Sequence, residues 1–517
     1  MEKRQQHLAR STVLVMTAFA FSRVLGLVRQ VAFGLYFGTG PEMDAYVAAA
    51  RLPELLFMVV AGGALGAAFI PVFTARLAVK DTAGAWRLAS AIINLLLLLL
   101  VPLSLLAMLL APWLVRTIIA PDFTPVLQAR TALLLRIMLL SPAIFGVSGI
   151  LMGALNAHQH FLIPAVAPSV YNLVLIGGAI WGGRVGGGAM GAAVATVVGS
   201  LAHLLMQVLW IRRYHPHYAF ILGWDDPHVR EVVRLTAPRI LGVAAMQLNF
   251  LITNNLASGL GTGAVSALNY AWTLTLLPHG IFAQAIGVTI FPTLSEQAAR
   301  GEYAALRQTV STALRLVIAL MLPAMGGLVV LGRPLVALLL EHGEFGAAST
   351  QMVAWAIGLF AIGLVGLGGV EVLARAFYAV HDTWTPALAA VGALLLNLIL
   401  GLTLPALFVR RGWPPHGGLA LANGLAALAE LGALLLLVGR RLQGFEGRRL
   451  LSQALRASAA TAGMTFLVWL WLRIAPPNAL LQSVGGIAVG VGGYALLALL
   501  LRVDDLRLVV NMVLRRK

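Results

Sequence analysis

GALNAHQHFLIPA at residues 153–165 and RAFYAVHDTWTPA at residues 375–387 are the stretches from which the fold is read. Set 222 residues apart, Ala154 and Ala157 face Ala376 and Ala379, and Pro164-Ala165 faces Pro386-Ala387. The same register extends outward, with Pro112 facing Pro334, Asp122-Phe123 facing Glu344-Phe345 and Gly146 facing Gly368. At nearly the same offset FGTG (37–40) matches LGTG (260–263), and Pro71 matches Pro292. Prolines and glycines are rarer than the alanines and leucines around them, so these matches point to an internal repeat rather than to shared composition.

The 517 residues are 60% hydrophobic and only 11% charged, with a mean hydropathy of +0.90. Soluble domains carry about a quarter charged residues, so this chain lacks the polar surface to cover itself in water. Breaking it at charge clusters and at Gly/Pro punctuation predicts about fourteen apolar helices, each of the ~20 residues needed to cross a bilayer. Their predicted starts lie near residues 11, 47, 86, 127, 160, 189, 230, 265, 305, 348, 384, 417, 452 and 480. The fold class is therefore all-α and polytopic, two six-helix lobes plus two C-terminal helices. Six is even, so the lobes share an orientation and should be related as parallel repeats, with the binding site between them.

Residues 1–10 read as a cytoplasmic N-terminus, 11–213 as the N-lobe, 214–229 as a cytoplasmic linker and 230–440 as the C-lobe. Residues 441–502 hold the last two helices, and 503–517 form a basic tail. Lys and Arg gather in the terminal segments and every second loop, including Arg10, Arg76, Lys80, Arg87, Arg212, Arg213, Arg230, Arg300, Arg307, Arg440, Arg441, Arg448 and the tail Arg515, Arg516 and Lys517. This bias orients both termini to the cytoplasm. It also accounts for the net charge of +17 without a nucleic-acid partner. The basic start MEKRQQHLAR leads into a stretch carrying Arg23 and Arg29, which reads as a retained first helix rather than a signal peptide.

There is no cysteine, which excludes disulfides and thiolate chemistry. A phosphate-cradling G-x-x-x-x-G-K-[ST] loop is absent, since Lys3, Lys80 and Lys517 are the only lysines and none follows glycine. With no H-E-x-x-H motif and no long soluble insertion, the chain reads as a transporter, not an enzyme, with no metal and no cofactor.

Its chemistry should lie in charges inside the membrane. An arginine at a helix centre costs about 2.5–3.5 kcal/mol on insertion scales. Arg23, Arg29, Arg51, Arg130, Arg136, Arg239, Arg315 and Arg375 fall inside or at the ends of helices, and Arg130, Arg239 and Arg315 are placed to snorkel. Arg23 and Arg29, in SRVLGLVRQ (22–30), lie deep. Six residues separate them by about 120° on an ideal helix, so convergence on one ligand calls for a break, which Gly26 can supply. Arg51 precedes Pro53, which frees a backbone carbonyl. A planar guanidinium donates two parallel hydrogen bonds to phosphate oxygens, so the expected ligand is a phosphate or diphosphate.

The competing reading pairs these cations with Asp44, Glu54, Glu371 or Glu430, and gives Asp44 a capping role at the start of its helix. Glu371, His203 and His279 are candidates for coupling protons, and Asn254, Asn255 and Asn397 for holding a cation. Such residues more often hydrogen-bond between helices.

SRVLGLVRQ, FGTGPEMDAYVAAARLPELL, AGGALGAAFIPVF, GALNAHQHFLIPAVAPSVYNL and ARAFYAVHDTWTP together resemble the MurJ/MviN lipid II flippases of the multidrug/oligosaccharidyl-lipid/polysaccharide exporter superfamily. The resemblance implies a bacterial cytoplasmic-membrane flippase of the undecaprenyl-diphosphate-linked peptidoglycan precursor. It would work by alternating access in cell-wall biogenesis and cell shape, with membrane lipids and cell-wall synthesis proteins as partners. The membrane potential, Na+ or H+ would drive it, and the last two helices would form a groove for the lipid tail. It further implies cavity roles for Arg23, Arg29 and Arg51, with Asp44 matching a helix 2 aspartate.

The chain departs from that pattern where a helix 8 arginine is Thr273, where a basic pair is Phe57-Met58, and at Gly62 and Gln30; Arg375 is the candidate replacement for the missing cation. Alternatives left open are another polyprenyl-diphosphate-linked glycan as substrate, or a cation-coupled drug exporter.

Overall fold

A computed structural model describes residues 2–60, 63–442, 444 and 447–503. Side chains of 2–16, 19, 59–60, 63–67, 235, 237–242 and 245–246 are not described. Gly62, the tail Arg515, Arg516 and Lys517, and the side chains of Arg10 and Arg239 thus lie outside the described residues.

Among the described residues the chain is helical throughout. The first part comprises α1 (Glu2–Phe37), α2 (Pro41–Val60), α3 (Gly63–Ala78), α4 (Thr82–Leu109), α5 (Ala111–Leu114), α6 (Pro125–Met138), α7 (Ser141–Ala157), α8 (Leu162–Val185), α9 (Ala189–Ile211) and α10 (Pro227–Ser258). There follow α11 (Ala264–Pro278), α12 (Gln284–Ala299), α13 (Tyr303–Leu340), α14 (Ala347–Ala361) and α15 (Leu364–Ala379). The chain ends with α16 (Trp384–Arg410), α17 (His416–Arg441), α18 (Gly447–Ile474) and α19 (Ala479–Leu500).

This order is consistent with the fourteen expected stretches. Ten described helical spans are long and apolar enough to cross a membrane, or eleven if α14 and α15, bent by 46°, count as one. Large apolar side chains such as Leu98, Leu105, Leu205, Ile399 and Val491 remain exposed on these helices, as expected of surfaces solvated by lipid while the helical backbone bonds internally.

The repeat survives in the breaks. A helix interrupted after Met138 in the first half has its counterpart in one interrupted after Ala361. The turns that follow place Gln159 and His381, 222 residues apart, in the same left-handed conformation, each at φ 59°. Non-glycine residues rarely adopt it, so the two halves share an unusual turn as well as helix lengths.

Two compact units result, Met1–Ser266 with His342–Phe345, and Ala267–Glu341 with Gly346–Lys517. In the first, Phe69, Phe73, Trp86, Leu88 and Ile92 form a core among α3, α4 and α7. Helices α8 and α9 approach closely, since a Cβ on Gly178 would lie 2.6 Å from the Gly191 carbonyl oxygen; small residues permit this approach where lipid offers no hydrophobic drive. The short segment 342–345 seats on the end of α1, with the Glu344 amide donating to the Leu35 carbonyl at 3.0 Å. Gly38 there has φ 55° and leaves no room for a Cβ beside the Glu344 carbonyl, so glycine is required on both counts.

The second unit packs Val310, Leu314, Val317, Met321, Phe377 and Leu434 into its core. Helices α18 and α19 dock on α13 through Ala460, Met464, Val468 and Tyr494, whose hydroxyl donates to the Ala319 carbonyl at 2.7 Å.

Candidate functional site

The first helix passes Gly26 without interruption, so the break expected there does not form. The helical hydrogen bonds are kept, and a Cβ at Gly26 would meet only Asn172 at 3.8 Å. Arg23 and Arg29 therefore leave α1 in different directions. Arg23 is exposed, whereas Arg29 is partly buried where α1 runs along α8. There the Arg29 Nη1 donates to Asn172 Oδ1 at 3.2 Å, and its buried Nε has no partner among the described residues.

A polar patch surrounds Arg29 within the first unit. Tyr46 and Thr196 share a hydroxyl–hydroxyl bond of 3.2 Å, Tyr171 stands edge-on to Phe145, and both tyrosines lie within electrostatic reach of Arg29 and Glu54. Glu54 belongs to Arg51, pairing with its Nη1 at 3.3 Å one turn along α2, while the Arg51 guanidinium also lies 5.5 Å from the Phe250 ring centre. Pro53, buried inside α2, has no N–H to return to the Ala49 carbonyl. One guanidinium thus has a neutral partner and its neighbour a carboxylate. An arginine carries five N–H donors and a permanent charge, so Arg29 retains donors and charge that Asn172 does not satisfy.

Asp44 is almost fully buried and serves a different end. Its carboxylate accepts from the Gly263 amide at 2.6 Å, the Ser266 amide at 2.8 Å and the Ser266 hydroxyl at 2.7 Å. It therefore caps the first turn of α11 while sitting in the first turn of α2, satisfying amides that a helix start leaves without internal acceptors. Asp44 and Ser266 are themselves 222 residues apart, so matched positions of the repeat bond to each other.

Elsewhere the arginines are engaged. Arg130 forms a two-pronged bond to Glu42 at 3.2 and 3.1 Å, and Arg136 donates to the Met108 carbonyl. Arg315 bonds Ser311, and Arg375, in the second unit, pairs with Glu371 at 2.7 Å one turn away. Thr273, at the position of the expected arginine, turns its hydroxyl to the Asn269 carbonyl.

Asn254 and Asn255 donate to the carbonyls of Ile119 and Ile118 at 2.9 and 2.7 Å, closing the π turn Val115–Ile119, and Asn397 is buried in α16. His203 bonds Ser148 at 2.7 Å. No group of three metal-ligating side chains occurs among the described residues. Sequence reading missed Asn172; its signal was the polar pair Tyr171-Asn172 inside an otherwise apolar run.

The family model described as Lipid II flippase MurJ matches residues 33–484. A relative described as lipid II flippase MurJ, from Burkholderia cenocepacia, is 30% identical over 449 residues, covering 85% of this chain and 84% of its own. A solved structure of lipid II flippase MurJ in an inward closed conformation superimposes with a TM-score of 0.79 at 26% identity, covering 95% of this chain and 99% of that one. An inward-facing multidrug resistance MATE transporter shares the fold at a TM-score of 0.69 and 17% identity. With the matches spanning most of its length, the chain belongs to the lipid II flippase MurJ family.

Proposed function

We propose that this chain is a transporter that moves lipid II, the undecaprenyl-diphosphate-linked peptidoglycan precursor, from the inner to the outer leaflet of the bacterial cytoplasmic membrane. Alternating access carries the headgroup across, and both termini lie in the cytoplasm, as the loop charges require. The observation that carries this reading is Arg29, a partly buried guanidinium whose hydrogen-bond partner among the described residues is the neutral Asn172. A cation placed so deep is costly without a counter-charge, and a diphosphate supplies one with oxygens matched to the guanidinium fork. Arg51, already half-neutralised by Glu54, and the exposed Arg23 take secondary places in capture.

The direction follows from charge. One elementary charge crossing 100 mV is worth about 2.3 kcal/mol, so a headgroup bearing about two negative charges leaves an inside-negative cell downhill by roughly 4–5 kcal/mol.

The test is depletion in the native cell. Lipid II should accumulate on the inner leaflet, and labelled lipid II should reappear outside spheroplasts on re-expression of the parent chain but not of Arg29→Ala. Accumulation of a different polyprenyl-diphosphate glycan would overturn the substrate assignment.

A further inference from the structure

Between α9 and α10 the first unit carries a strap without helical structure, residues 215–223, that lies along α4. Two buried polar side chains inside the apolar run of that helix, Ser90 and Asn94, hold it. The Ala219 amide donates to Ser90 Oγ at 3.1 Å, and Asn94 Nδ2 donates to the carbonyls of Ala219 and Ile221 at 3.0 and 2.8 Å. The Tyr218 hydroxyl donates to Asn94 Oδ1. At the far end Arg230 Nε donates to the Trp224 carbonyl at 2.7 Å, and Arg76 binds Asp226 at 2.7 Å.

The depth of these bonds is informative. Ser90 and Asn94 stand about 12 and 18 Å past Thr82 on a helix of 28 residues, about 42 Å long. With a hydrocarbon layer of about 30 Å centred on α4, both fall inside it, by about 6 and 12 Å. Irregular backbone is tolerated at that level only where protein satisfies its polar groups, and Ser90 and Asn94 do so for the strap at Ala219 and Ile221. A loop standing in water needs no such partners, since solvent supplies them.

Exposure alternates along the strap. Ile221 packs onto the core that α4 helps to form, and Gly223 lies so close to Ala91 that an added Cβ would be 2.9 Å from its side chain. Tyr218, Phe220, Leu222 and Trp224 are exposed, Phe220 by 91%. Four large apolar side chains in so short a stretch make a patch, not the scattered exposure of an ordinary surface. It borders the part of α4 whose own exposed apolar residues start at Leu98, one turn past Asn94. The exposed charge around it is mainly basic, with Arg87, Arg212, Arg213, Arg230 and Arg234 against Asp225 and Glu231, while Asp226 is engaged by Arg76.

We propose that the strap is an interfacial membrane anchor. Phe220, Leu222 and Trp224 sit in the boundary between headgroups and acyl chains of the leaflet at which α9 ends, and Arg212 and Arg213 lie on the phosphates of anionic lipids. Aromatic side chains favour that level, and interfacial helices bury their apolar face about 5–10 Å into it, close to the depth at which Ser90 and Asn94 hold the strap backbone. The anchor fixes the path from α9 into α10 against the bilayer and does not depend on the transported substrate.

Because the chain has no cysteine, single nitroxide labels test this directly. Phe220→Cys and Leu222→Cys, labelled in the full chain in nanodiscs of phosphatidylglycerol and phosphatidylcholine, should collide more often with oxygen than with a water-soluble nickel chelate. Leu105→Cys, on the exposed side of α4, gives the lipid reference, and Glu302→Cys, in the exposed turn before α13, gives the aqueous one. Arg212→Gln with Arg213→Gln should lower the ratio of immersed to aqueous label at 220 by about tenfold, as expected for two cations at an anionic surface. Nanodiscs of phosphatidylcholine alone should do the same to the chain that keeps both arginines.

Labels at 220 and 222 that behave as the one at 302 overturn the inference. Labels shielded from both reagents also overturn it, in favour of a second copy or another protein on the patch. An immersed label indifferent to the glutamine pair and to lipid charge overturns the role given to the arginines.

Discussion

The two units distribute their positive charge in opposite ways. In the first, Arg29, partly buried inside the helix stack, is hydrogen-bonded to an amide among the described residues, while at the helix ends Arg76 is bound by Asp81 at 3.4 Å and Asp226 at 2.7 Å and the neighbouring space is closed by rings. In the second, Arg375 is matched by Glu371 one turn away, while the helix ends hold an open cavity with Arg307 and Arg441 on its wall. The duplicated backbone keeps its breaks and its left-handed turns. What has drifted is which partner each cation meets, an amide for Arg29 and a carboxylate for Arg375.

The sharpest way to break this contrast is to give Arg29 the carboxylate that Arg375 already has. Asn172→Asp should cut lipid II appearance on the outer leaflet at least about tenfold, nearly as far as Arg29→Ala, because an ion pair removes the charge a ligand would otherwise meet. Thermal stability in detergent should hold or rise. Arg375→Ala should leave transport close to the parent level; a loss equal to that of Arg29→Ala would erase the distinction between the units.

Next in size is Asp44, where the repeat bonds to itself. Asp44→Ala strands two backbone amides and a hydroxyl in a buried position, which should cost about 2–4 kcal/mol, read as a lowered thermal midpoint. Ser266→Ala, which removes one of the three donors and leaves the amides capped, should cost clearly less. Equal losses would show that the amide cap contributes little.

Smaller again is the ion pair of the second unit. Arg375→Ala alone should destabilise by about 1–3 kcal/mol by leaving Glu371 without its cation, and Glu371→Gln added to it should recover much of the loss. If the double variant is as unstable as the single one, the arginine contributes by packing against Gly287 rather than by charge.

The smallest expected effect lies at the helix ends of the first unit and depends on pH. Partial burial pushes the Asp226 carboxyl up, but hydrogen bonds from the His228 amide and ring, with the Arg76 charge, outweigh it and hold the group below its ordinary 3.8. A carboxyl depressed in the folded state adds stability above its unfolded value and loses it as pH falls through the folded one. Asp226→Asn should therefore lower the thermal midpoint at pH 7, with the gap closing below about pH 4. A gap independent of pH would mean that the charge on Asp226 does not matter.

Much of the architecture was legible because its causes are local. Apolar runs of bilayer length, punctuated by Gly, Pro and basic clusters, mark helices wherever they occur, and the predicted starts near 86, 127, 189, 305, 348, 384 and 480 fall close to those of α4, α6, α9, α13, α14, α16 and α19. The pairings Arg51–Glu54 and Arg375–Glu371 were equally open to reading, since residues three and four apart share a helix face. Gly26 misled because glycine permits a break without compelling one, and packing of α1 along α8 keeps the helix whole.

From residue order alone came solvent, helix succession, the duplication and the family, all properties of short-range pattern and hydropathy that no packing arrangement can reverse. Which arginine keeps an unspent charge was settled only by folding. Asn172 reaches Arg29 across 143 residues, Ser266 reaches Asp44 across 222, and the cavity beside Arg307 and Arg441 needs four helix ends brought together. The energy of a charge depends on what surrounds it in space, and separation along the chain carries no record of that.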